Sequence, residues 1–164
     1  FRPQMENQIG LVGRLGRAGA THVFVGGDRD DIAIMARDAA SLGHDLTFAG
    51  GEALRAAGDI PLAEGTLMIG MPEWADMLDE DAAERFSAAN VVPEGYVVPA
   101  HAAVEVAAQV LERARAENAP VAEMFSSGPF DTLIGAVSFD DKGDLARSPF
   151  ILQRYDGERF LPVE

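Results

Sequence analysis

The chain has 164 residues, 48% of them apolar and 24% charged, the composition of one folded domain with a real core rather than of a disordered segment. Its formal charge of −14 argues against nucleic acid and against anionic membrane surfaces, both of which call for a basic face. With no cysteine, disulfides, thiolate metal sites and thiol nucleophiles are excluded.

Residues 5–19 place Ile9, Leu11, Val12 and Leu15 at roughly helical spacing. Gly10, Gly13, Gly16 and Gly19 weaken that helix, so its face must pack closely against another element. Residues 21–27 read as a buried strand ending in Gly26-Gly27. Residues 28–42 read as a helix with acids in its first turn, apolar positions Ile32, Ile34, Met35, Ala39 and Leu42, and Gly43 as its stop. A second strand over residues 46–51 again ends in a glycine pair, Gly50-Gly51; residues 52–57 open a short helix, and residues 66–71 form a third apolar strand. This alternation predicts an α/β fold, a parallel Rossmann-like sheet flanked by helices, with ligands bound beyond the carboxyl ends of the strands.

Residues 79–89 form an acidic amphipathic helix, and residues 90–95 a break. Residues 96–117 carry the longest helical pattern, with Val104, Val106, Ala107, Val110 and Leu111 as its apolar stripe. A short turn over residues 121–126 leads to residues 130–145, read as a strand, an acidic turn and a further strand-like segment. Residues 150–163 continue as strand, with Asp156-Gly157 as a second tight turn, so the chain closes on a β-hairpin. No apolar stretch reaches membrane-spanning length. The first residues lack a signal-peptide core and the chain does not begin with Met, so it reads as processed or cut from something longer.

Four groups of residues invite a chemical reading. The glycines of residues 10–19 suggest a nucleotide loop, but they precede a strand instead of following one, which favours close helix packing. Asp28, Asp30 and Asp31 after the first strand suggest a Mg²⁺-dependent phosphotransferase. Against it, Gly26-Gly27 displaces these acids from the strand tip, the lone Lys142 lies in a hairpin turn, and acids are expected at any helix N-terminus. Residues 140–144 lack the spacing of a calcium loop and read as a solvated turn. His22, His44 and His101 share no metal-ligand spacing; His22 and His44 read as structural, leaving His101 as a site candidate. No metal, cofactor or catalytic residue is assigned.

The order of elements resembles a known family over nearly the whole chain. Ala36-Arg37-Asp38-Ala39-Ala40-Ser41-Leu42-Gly43, Phe48-Ala49-Gly50-Gly51-Glu52, Ala63-Glu64-Gly65-Thr66, Gly95-Tyr96 with the long helix, and above all residues 130–145 are similar to the C-terminal portion of type I periplasmic solute-binding proteins, in particular the branched-chain amino-acid (Leu/Ile/Val) receptors of ABC importers. The resemblance implies residues 1–93 plus 150–164 as lobe 2 and residues 94–149 as a returning segment of lobe 1. It implies a non-enzymatic, periplasmic protein that captures an amino-acid-like small molecule and delivers it to ABC permease subunits.

It also implies Glu52 as the acceptor for the ligand's α-ammonium, a strong charge-assisted bond in a closing cleft. Asp28 and Arg29 stand where the family presents an aromatic residue, so Arg29 is a candidate partner for a ligand carboxylate. His101-Ala102 replaces the family's usual Tyr-Asp. Because the resemblance leaves the N-terminal strands of lobe 1 outside this chain, the long helix and hairpin are expected to expose an apolar patch, which implies a truncated or proteolysed receptor, a homodimer whose copies cover one another, or a rearranged single domain. The alternative is an oligomerisation or ligand-sensing module of the same fold.

Overall fold

Three short apolar strands, β1 (His22–Phe24), β2 (Thr47–Gly50) and β3 (Leu67–Gly70), lie side by side and parallel in the computed structural model, which describes residues 1–163. Two later strands, β6 (Ile151–Tyr155) and β7 (Phe160–Pro162), extend the sheet antiparallel, giving the order β1-β2-β3-β6-β7. The mostly parallel sheet with flanking helices is the α/β class expected from the strand–helix alternation. The chain divides into two compact units, Phe1–Pro72 with the segment from Phe150 onward, and Glu73–Pro149.

In the first unit, α1 (Ile9–Arg17) and α2 (Arg29–Ser41) supply the core that the sheet needs. Val12, Ile32, Met35, Phe48, Leu54 and Met68 form one buried cluster. The glycines of α1 pack as their spacing requires: a side chain at Gly16 would collide with the His44 ring, and one at Gly13 would press on Leu42. His44 is therefore a packing residue. The N-terminal segment is tied down by buried acids of α2, with Gln4 N–H donating to Asp31 Oδ1 (2.7 Å) and Gln8 N–H to Asp38 Oδ2 (2.5 Å).

Register gives the sheet two unlike faces, since residues alternate between them. Phe48, Met68 and Gln153 point into the core. Phe24, Ile69, Leu152 and Leu161 lie on the opposite face and are between 37% and 66% exposed. One connection differs from expectation. Between β2 and β3 only a 3₁₀ turn forms (Glu52–Arg55), because Gly58 and Pro61 follow too closely for an α-helix to propagate.

The β6–β7 turn is built by Asp156, whose Oδ1 accepts from the N–H groups of Glu158 (2.8 Å) and Arg159 (2.9 Å). Those bonds, Arg159 first, hold the Asp156 carboxyl below the usual carboxylate range.

The second unit contains α3 (Glu80–Ala88), α4 (Val97–Glu117), a 3₁₀ segment (Val121–Ser127) and the hairpin β4 (Phe130–Thr132) with β5 (Gly135–Val137). Asp79 caps α3 by accepting from Ala82 N–H (2.8 Å), and Asn118 ends α4 in the left-handed region. The apolar stripe of α4 differs from the one read in the sequence. Val98, Ala102, Val106, Val110 and Ala114 are buried, whereas Val104 and Leu111 are exposed. The hairpin and 3₁₀ segment give that helix one apolar neighbour: Met124 and Phe130 close on Val106, Val110 and Ala114.

The hairpin reverses earlier than expected, at Leu133-Ile134 between the paired Thr132 and Gly135. No glycine–asparagine signal marks this turn. It is held instead by Glu105 of α4, whose carboxylate accepts from Leu133 N–H (2.7 Å), and by Thr132 Oγ1 donating to the Gly135 carbonyl (2.7 Å). The acidic turn at residues 140–144 is a second reversal, closed by Asp140 Oδ1 on the N–H groups of Lys142 and Asp144 and by a Phe139–Leu145 bridge.

Candidate functional site

All three parallel strands of the first unit end at glycine-containing turns, and the polar residues gather beyond their carboxyl ends, where open α/β sheets bind ligands. Glu52 follows β2 through Gly50-Gly51. Its Oε1 accepts from Met71 N–H (2.7 Å), just beyond β3, and both its oxygens lie 3.3 Å from Arg55 Nε. Arg55 Nη2 donates to the Met71 carbonyl (2.6 Å) and to Gln153 Oε1 (3.1 Å). Gln153, 1% exposed in β6, donates through Nε2 to the carbonyls of Met71 (3.0 Å) and Gly70 (3.3 Å). Four residues from three segments thus form one connected polar cluster.

Two glycines make room for it. A Cβ on Gly70 would sit 2.5 Å from Glu52 Oε1, and one on Gly50 would sit 2.8 Å from Ile32 Cδ1. Gly50, the first of the pair before Glu52, therefore serves close packing, whereas a Cβ on Gly51 would meet nothing.

Asp28 is the exposed N-cap residue of α2, and its side chain makes no capping bond. Arg29 turns away from solvent, donating to the Ile60 carbonyl (2.7 Å) beside Asp30 (3.5 Å). Asp30 receives the N–H groups of Asp59 and Ile60, so it ties the 58–60 loop to α2. Asp28, Arg29 and Asp31 line a cavity of about 330 Å³ that Gln4, Ala53 and Ala57 complete. Among the described residues, no three His, Asp or Glu side chains are placed to hold a metal ion.

His101 belongs to the second unit, in the first turns of α4. It stands edge-on to Phe86 (centroids 5.8 Å) with Nδ1 3.6 Å from Glu105 Oε2. His22 is exposed beside Thr21, with no further side-chain partner given by the geometry around it.

Arg55 and Gln153 are the cluster members that sequence reasoning missed. Their signals are faint: an Arg three residues after an acid, and one amide at an inward position of an otherwise apolar strand.

The first unit is thus an α/β sheet whose polar groups lie beyond the carboxyl ends of its three parallel strands. No family model matches the chain. Its sequence is 32% identical over 155 residues to a leucine-, isoleucine-, valine-, threonine- and alanine-binding protein of Pseudomonas aeruginosa, covering 88% of this chain and 41% of that protein. It is 30% identical over 163 residues to a Leu/Ile/Val-binding protein homologue of Brucella melitensis, covering 94% of this chain and 44% of that protein.

The fold matches a leucine-binding protein of Thermotoga maritima with a TM-score of 0.71 at 17% identity, over 100% of this chain and 49% of that one. It matches the closed form of a Brucella ovis leucine-, isoleucine-, valine-, threonine- and alanine-binding protein with a TM-score of 0.70 at 18% identity, over 98% of this chain and 47% of that one. The chain is similar to part of these Leu/Ile/Val-binding proteins, and it spans about two-fifths of the length of the curated relatives it matches. Among the described residues no helix is long and apolar enough to cross a membrane.

Proposed function

We propose that this chain contributes one side of a periplasmic receptor that captures an amino acid or a similar small polar metabolite for an ABC permease. The observation that carries the reading is Glu52: an acid beyond β2, partly exposed, with its carboxylate already oriented by Met71 N–H and Arg55. Such a carboxylate suits an α-ammonium, and the relatives are named for amino acids that carry one. Asp28 offers a second, exposed acid nearby in sequence, and Arg29 reaches a ligand carboxylate only by leaving Ile60. His101, half-exposed in α4, is proposed as a further ligand-binding residue.

The lobe assignment belongs to the same proposal, with residues 1–93 and 150–164 in one lobe and residues 94–149 in the other. The compact units divide at Pro72 and Pro149, so residues 73–93, which include α3, are the stretch the two divisions treat differently. No chemical step is proposed, in keeping with relatives that are binding proteins.

The test replaces the aligned part of the Pseudomonas aeruginosa relative with this chain and titrates the chimera with amino acids by calorimetry. At least one amino acid is expected to bind, with Glu52→Gln weakening it by about 2–5 kcal/mol. A folded chimera that binds none would overturn the reading.

The open face of the sheet favours a second reading, an oligomerisation module in which two copies cover Phe24, Ile69, Leu152 and Leu161.

A further inference from the structure

We infer that Arg55 is a positioning residue for the ligand-meeting acid, and that Glu52, Arg55, Gln153 and the Met71 peptide form one fixed unit. The inference deepens the reading of Glu52 above and rests on it for the ligand. Met71 has both of its backbone polar groups taken by side chains: its N–H by Glu52, its carbonyl by Arg55 and Gln153. Arg55 Nε is equidistant from the two carboxylate oxygens, which fixes the plane of the Glu52 carboxylate. Gln153 is fully buried, and Arg55 is the donor that satisfies its carbonyl oxygen.

An isolated Arg–Glu pair with side chains 26% and 23% exposed contributes little to stability. Four residues tied together at this density do something else: they remove the freedom of Glu52 before a ligand arrives. The cluster also sits at a particular place in the chain. Gly70 pairs with Ile151, so the strand by which the chain leaves the first unit and the strand by which it returns are neighbours. Met71 is the next residue after Gly70 on the outgoing path, and Gln153 is on the returning one. Glu52 is thereby bonded to the outgoing backbone at Met71 and linked through Arg55 to the Gln153 side chain of the returning strand.

The test uses the full chain labelled with ¹⁵N, reading the Met71 amide resonance. Arg55→Met is expected to move that resonance in the direction of Glu52→Gln in a chain that stays folded, with a fall in melting temperature because Gln153 Oε1 loses its donor. Arg55→Lys, which keeps the charge but not the span of both oxygens, is expected to move it partway. A Met71 amide that moves in Glu52→Gln but stays in place in Arg55→Met overturns the inference.

L-leucine and 4-methylpentanoate, which lacks the ammonium, serve as probes at millimolar concentration. L-leucine is expected to shift the Met71 amide where 4-methylpentanoate does not, and Arg55→Met to reduce that discrimination about tenfold. A preference for L-leucine over 4-methylpentanoate that is unchanged in Arg55→Met makes Arg55 merely structural. If L-leucine shifts no resonance of the parent chain, the chimera decides the ligand reading, and the Met71 amide in Arg55→Met still decides whether Arg55 holds Glu52.

Discussion

The position that most constrains the candidate site is a glycine. Gly70 ends β3 directly beneath the Glu52 carboxylate, and a methyl there would fall 2.5 Å from Oε1, well inside contact distance. Gly70→Ala therefore forces Glu52 off Met71 N–H or shifts β3, and is expected to cost about 1–3 kcal/mol in denaturant unfolding. Combining it with Glu52→Ala removes the obstacle, so the double variant is expected to recover part of that loss. Losses that simply add would show that Glu52 does not lie over Gly70.

At this scale the sequence named one member of the polar cluster. Glu52 stood out through the family resemblance of the stretch Phe48-Ala49-Gly50-Gly51-Glu52. Arg55 and Gln153 did not, because their roles depend on β6 pairing with β3 across a sequence separation of 98 residues between the two side chains. Nothing local marks an amide whose partner is brought by that pairing. Arg29 illustrates the converse: its charge was legible, but its engagement by the Ile60 carbonyl follows from a loop conformation no spacing encodes.

Elements were legible where periodicity is long and blurred where packing decides. The helix at residues 28–42 and the long helix at residues 96–117 form as α2 and α4 within a residue or two of their expected ends. The face of α4 was harder, because alanines and valines occur all around it and only the neighbour selects which are buried. Phe130 and Met124 select Val106 and Val110. Val110→Ala is accordingly expected to lower stability by about 1–3 kcal/mol through lost burial and the cavity it leaves. Val104→Gln on the opposite side is expected to fall within about 0.5 kcal/mol of the parent chain. Paired urea titrations decide this, and a Val104→Gln penalty matching that of Val110→Ala would mean that the exposed side of α4 is covered in solution. The early reversal of the β4–β5 hairpin was missed for a related reason. Leu133 and Ile134 carry no turn preference of their own, and the bond from Glu105 that holds them comes from another element.

For the whole molecule, the unresolved tension lies between an uncovered sheet and a strongly acidic chain. Parallel sheets are ordinarily covered on both faces, whereas here the helices of the first unit pack on one. Phe24, Ile69, Leu152 and Leu161 on the other face provide an apolar driving force for association between copies. A formal charge of −14 on every copy opposes it. The two terms respond differently to salt: screening weakens the repulsion beyond a Debye length of about 8 Å at physiological ionic strength and leaves the apolar term intact. If two copies cover one another through this face, the weight-average mass measured by light scattering is expected to rise with sodium chloride. Phe24→Asp is expected to return it to the monomer value without loss of the folded circular dichroism spectrum. A chain that stays monomeric across the whole salt range would sink the self-association reading, and would leave the open face to a different polypeptide partner.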